Sequence, residues 1–127
     1  PVSERPKIIL TADSNGHFIT TGQMNGGTTT FLVDTGATTI AMSKAEAKRL
    51  GISYINGRRG VSNTANGQVM YYSIKLDTVK VGDVTLHQID AAVIDGGGMD
   101  ITLLGMSFLN RLEMKRAGST LTLTKAF

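Results

Sequence analysis

The chain has 127 residues, 41% hydrophobic and only 6% aromatic, and its 13 Lys and Arg against 10 Asp and Glu leave a net charge of +3. That length fits a single domain over 1–127 with an aliphatic core, and the absence of Cys excludes disulfides and thiolate metal sites. The basic residues form no run longer than two, which speaks against a nucleic-acid face, and no apolar run approaches the ~20 residues of a membrane span.

Short strands punctuated by Gly and Asn turns predict an all-β architecture. The chain opens on Pro1 and not Met, from which we expect a soluble fragment, either expressed as such or processed, with room for a signal or anchor upstream. His17 to Met24 alternates weakly, Asn25-Gly26-Gly27 offers a hairpin turn, and Thr28 to Val33 returns as an increasingly apolar strand ending on Asp34. Ser43 to Gly51 predicts a short helix, with Ser43 as N-cap, Glu46 completing a capping box and Gly51 stopping it. Val61 to Thr64, the turn Ala65-Asn66-Gly67 and Val69 to Leu76 predict a long hairpin. Val79 to Leu86 predicts a second, turning at Gly82-Asp83. The apolar strand Ile89 to Ile94 stops at Asp95-Gly96. Ile101 to Leu104 runs into Gly105, Phe108, Leu109 and Leu112 share one face of a short helix, and Thr120 to Thr124 alternates as a last strand.

Two stretches echo each other. FLVDTGATT from Phe31 and ITLLGMSFL from Ile101 both drive an apolar run into a Gly turn, as two copies of one supersecondary unit would. Only the first carries an acid. A carboxylate at the end of a buried strand is costly unless hydrogen bonds compensate, and the turn Thr35-Gly36 brings backbone N–H groups near. Taken alone, the triplet is compatible with a simple turn cap as well as with a catalytic carboxylate.

Three pieces taken together, FLVDTGATT, the hairpin tip TANG at Thr64 to Gly67, and LLGMSFLNRL from Leu103 to Leu112, resemble the single-domain retropepsin-like aspartic proteases of bacteria, relatives of the retroviral proteases. The resemblance spans Thr28 to Leu123. It implies a closed retropepsin-like β-barrel, one pepsin-like half of the acid protease fold, with a short helix after the catalytic loop and another near the C-terminus. It also implies an aspartic endopeptidase active as a homodimer on peptide or protein substrates, each chain giving one Asp-Thr-Gly, with no metal or organic cofactor. On this reading Asp34 is the catalytic carboxylate, Thr35 the hydroxyl bracing the two loops, and Gly36 the turn residue near substrate. Ala37, Thr38 and Thr39 lie along the cleft, and Thr64, Ala65, Asn66 and Gly67 form the tip of a flap. Leu121 and Leu123, with Phe127 at the terminus, read as ordinary core; in the family the chain ends also interleave to make the dimer sheet, and either role predicts their burial. Family members are often envelope-anchored, which implies a periplasmic or cell-envelope location and a membrane-anchored full-length protein.

Aspartic proteases are the standard example of two carboxylates that share one proton because both cannot ionise cheaply side by side. Two departures bear on this site. Ala37 stands where two-domain pepsin-like enzymes usually have Ser, one donor fewer to the carboxylates, which implies a mildly acidic optimum. Thr38 and Thr39 are neutral where retroviral enzymes often place acids, which implies less demand for a basic partner. The alternative is a non-catalytic peptide-binding or dimerisation module on the same fold.

Other candidates are weaker. Asp95 to Asp100, DGGGMD, lacks the spacing of an EF-hand or a P-loop, and Asp95 as an alternative acid has no hydroxyl after it. His17 and His87 stand apart, and neither Ser43 nor Ser107 sits in a nucleophile elbow.

Overall fold

The structure is a computed structural model that describes residues 5–65 and 67–126. Among the described residues, ten strands and two short helices follow in the order β1 (Lys7–Thr11), β2 (Ile19–Met24), β3 (Gly27–Val33), β4 (Ile40–Ser43), α1 (Lys44–Arg49), β5 (Arg58–Thr64), β6 (Gly67–Val81), β7 (Val84–Asp95), β8 (Thr102–Leu104), α2 (Met106–Leu109), β9 (Leu112–Ala117) and β10 (Thr120–Lys125). The all-β expectation holds.

Local sequence explains the hairpins. Asn25 and Gly26 both take positive φ between the paired residues Met24 and Gly27, the two-residue turn whose twist suits β2 and β3. The same Asn25 docks on β6, its backbone N–H donating to Thr78 O and its Oδ1 accepting from Thr78 N–H. The next hairpins run longer than the apolar pattern suggests, because β6 continues through fifteen residues. Its first part pairs with β5 and its last residues with β2, while β7 follows it along nearly its whole length.

This double use of β6 closes the barrel. The strand order β2-β3-β8-β4-β7-β6 returns to β2 through the β2–β6 pairing, and β5 continues past β6 as the outer strand of a projecting hairpin. The barrel core is aliphatic and full, with Phe31, Phe108, Met24, Ile40, Met42, Leu76, Ile89 and Leu104 completely buried. Where the β6–β7 ladder is interrupted, Gln88 adopts φ +56, and the Arg111 guanidinium takes up the carbonyls of His87 and Gln88 at 2.6 and 2.8 Å.

Strands β1, β10 and β9 make a separate antiparallel sheet. Its inner residues Ile8, Leu10, Leu121 and Leu123 join the core, and its outer row is Thr-rich. Thus the described end strands pair within their own chain; Phe127 lies outside the described residues. No helix among the described residues is long and apolar enough to cross a membrane.

Two readings are corrected. Leu112 does not extend the helical face of Phe108 and Leu109, because α2 stops at Leu109 and Leu112 opens β9, buried there instead. Ser43 does cap α1 by accepting from Glu46 N–H, and Gly51 follows its end with φ +70, but the Glu46 side chain does not complete a box. Its carboxylate accepts two hydrogen bonds from Arg49 and one from the buried Thr29 hydroxyl.

Those donors, Arg49 first and then Thr29, hold the Glu46 carboxyl below its ordinary range. Because the folded value is the lower one, Glu46 adds stability above the ordinary carboxylate range, and that contribution is lost as pH falls through it. Melting temperature should therefore decline on acidification from pH 6 to about pH 3, and Glu46→Gln should flatten the decline. Parallel melting curves for both proteins would count against this.

Candidate active site

The two echoing stretches lie side by side. β3 and β8 run parallel with Val33 opposite Leu104, so Asp34 and Gly105 leave the barrel as neighbours, tied by Asp34 N–H to Leu104 O at 3.1 Å. The Asp34 loop then folds back on itself. Its carbonyl accepts from Ala37 N–H at 3.2 Å, and its carboxylate Oδ1 accepts from Gly36 N–H at 2.8 Å. That bond offsets part of the cost of a half-buried carboxylate. A Cβ on Gly36 would stand 3.1 Å from the same oxygen.

The second stretch is the buttress of the first. The first turn of a helix leaves N–H groups without partners inside the helix. Here Met106 N–H donates to Ala37 O at 2.8 Å and Ser107 N–H to Thr38 O at 2.9 Å. The Ser107 hydroxyl accepts from Ile40 N–H at 3.1 Å and donates to Asp90 O at 2.7 Å, joining the loop's exit strand to β7. This contact requires Gly105, where a Cβ would sit 2.7 Å from Ala37 O and closer still to Thr39 O.

Two concavities flank the loop. The larger, about 560 Å³, has Ala37, Thr38, Thr39 and Ala41 on one wall, Arg58, Ser62, Tyr71 and Ser73 of β5 and β6 on the other, and Asp90 to Ala92 along β7. The smaller, about 220 Å³, lies against Thr35 and Val33 and is lined also by Phe18, Met114, Arg116 and Leu121. Thr35 is exposed, and its hydroxyl makes no hydrogen bond among the described residues.

The cleft thus brings together Ala37, Thr38 and Thr39 with the projecting hairpin. At the hairpin's end Thr64 pairs with Gly67, and Ala65 is exposed; Asn66 lies outside the described residues. The described hairpin wall of the cleft lies below this tip. Arg58, Ser62, Tyr71 and Ser73 were not singled out from the sequence, although their inward face follows from strand alternation once the register is known. Asp95 stands apart, its carboxylate 3.4 Å from Lys44 Nζ.

A family model described as "gag-polyprotein putative aspartyl protease" matches residues 20–111. Among curated proteins, an uncharacterized Sinorhizobium protein from the cobV 5′ region is 38% identical over 85% of this chain and 47% of its own length, and an uncharacterized Rickettsia prowazekii protein is 34% identical over 87% and 48%. The chain spans about half the length of these relatives. Among solved structures, a retropepsin-like aspartic protease from Rickettsia conorii superposes with a TM-score of 0.82 at 33% identity, covering 96% of this chain and 92% of that one. An EIAV protease complexed with an inhibitor shares the fold at a TM-score of 0.50 and 22% identity, over 86% and 88% of the two chains.

Proposed function

Because this chain belongs to the retropepsin-like aspartic protease family, we propose that it is an aspartic endopeptidase whose active form is a homodimer with one Asp34 from each subunit. The observation that carries the reading is the unfinished state of the Asp34 loop in the single chain. Among the described residues its carboxylate accepts one hydrogen bond, from Gly36 N–H, and the neighbouring exposed Thr35, whose hydroxyl makes none, lines the smaller concavity. A second copy brought face to face supplies what is missing, since each Thr35 can then brace the other loop and the two carboxylates share a proton.

The chemistry follows from that pairing. The ionised Asp34 takes a proton from a water held between the pair, and the water oxygen attacks the peptide carbonyl carbon. The protonated Asp34 hydrogen-bonds the carbonyl oxygen as charge develops there, and proton return to the amide nitrogen releases the two halves. The peptide lies extended in the larger cleft between Thr38 and Thr39 below and the hairpin above. Closure of that hairpin excludes bulk water from the carboxylates.

A half-site enzyme must lose activity on dilution. Cleavage of a mixed peptide library, scored by mass spectrometry across mild acid to neutral pH, is expected to show specific activity that falls as the protein is diluted into the range where sedimentation finds monomers. Constant specific activity through that range would refute the shared site. A dimer that cleaves nothing would favour a peptide-binding module.

A further inference from the structure

The larger cleft carries one charge that its own chain does not answer. Arg58, at the start of β5, lines the cleft opposite Ser73, and among the described residues its guanidinium has no ion pair and no hydrogen bond. The acid in the same lining is already answered, because Asp90 Oδ1 stands 3.2 Å from Lys75 Nζ. On the catalytic-loop wall Thr38 and Thr39 contribute no charge. Arg59, next in sequence, points the other way, its guanidinium 5.9 Å from the centre of the Tyr72 ring.

We propose that Arg58 is a specificity-determining residue that reads an acidic side chain on the bound peptide, several residues away from the bond to be cut. This rests on the protease reading of the cleft and names the substrate class that the cleft favours. The distance comes from the ladder. Arg58 pairs with Ser73 six register steps below the closing pair Thr64 and Gly67, roughly 20 Å at strand rise. An extended peptide that follows β5 away from the tip covers that distance in about six residues, so Arg58, with its own side-chain reach, meets it some four to six residues from the scissile bond. A guanidinium at the edge of a half-open cleft offers a planar fork that suits a carboxylate. A lysine side chain there would meet an unanswered like charge and be disfavoured. In the dimer the same arginine stands at both ends of the substrate channel, so acidic residues are favoured on either flank.

The test separates binding from cleavage. The Asp34→Asn chain is titrated with peptides identical except for Glu, Gln or Lys at each of the flanking positions four to six residues from a central apolar pair. Glu is expected to bind about fivefold tighter than Gln at one or more of these positions, and Lys more weakly than Gln, with the preference shrinking at high salt. In an Arg58→Gln, Asp34→Asn double variant the Glu-to-Gln ratio should fall to about one, Arg58→Lys should restore part of it, and Arg59→Gln should leave it in place. Equal affinity for all three peptides at every position, or a preference that survives Arg58→Gln, overturns the assignment. Because the readout is binding, that result is distinct from failure of the protease reading, which appears as absence of cleavage by the wild-type dimer.

Discussion

Asp34→Asn is expected to lower peptide cleavage by roughly 10⁴-fold, the upper end of what general acid–base groups contribute, while leaving the fold in place. The asparagine Oδ1 can still accept from Gly36 N–H, the one hydrogen bond that the carboxylate makes among the described residues. On the proposed dimeric mechanism, what is lost is the proton acceptor for water and, in the partner, the shared proton that keeps one acid protonated. Melting temperature should therefore move little while turnover collapses. The wild-type rate should trace a bell against pH with its maximum in the mildly acidic range, because the pair works only when singly protonated. Cleavage by Asp34→Asn at more than about a hundredth of the wild-type rate would remove Asp34 from the chemistry.

Gly105→Ala is expected to be the most damaging small substitution in the core, costing about 3 kcal/mol or more and lowering the melting temperature by roughly 10 °C. The cause is steric, not conformational. The new methyl would be driven into the main-chain oxygens of Ala37 and Thr39, and backbone cannot rotate away as a side chain can. Relief requires α2 to part from the Asp34 loop, which frees the Met106 and Ser107 N–H groups from Ala37 and Thr38 and shifts the base of the Asp34 turn. Whatever fraction of Gly105→Ala folds should therefore cleave poorly, since small misplacements at a reacting centre cost large factors in rate. Gly118→Ala is the control, with open space around it but φ +61, and should cost only about 1–2 kcal/mol. A Gly105→Ala protein as stable as the wild type would mean that the loop and the helix are not held together by this contact.

The features legible in the sequence were those set by neighbours in the chain. The Asn25-Gly26 turn, the Ser43 cap and the apolar strand running into Asp34 depend on side chains acting on their own or adjacent backbone. The resemblance carried the barrel, whose closure by the β2–β6 pairing no local signal marks.

Features made by distant partners were not legible. The four-residue strand β4 alternates too briefly to announce itself, yet its parallel pairing with β7 and its contact with β8 make it part of the barrel wall. Glu46 has the right spacing for a capping box, but Thr29, seventeen residues away, and Arg49 bind its carboxylate more effectively than the short reach back to Ser43. Local sequence by itself determined where the chain turns and where its one candidate catalytic acid leaves a strand, since those depend on backbone preference and periodicity. Only the tertiary structure decided what surrounds the loop of that acid: Leu104 beside Asp34, the α2 turn behind Ala37 and Thr38, and Arg58 in the cleft that Thr38 and Thr39 line. Each of those neighbours is brought in by strand pairing across the barrel, and pairing energy is shared between segments that carry no mark of one another in sequence.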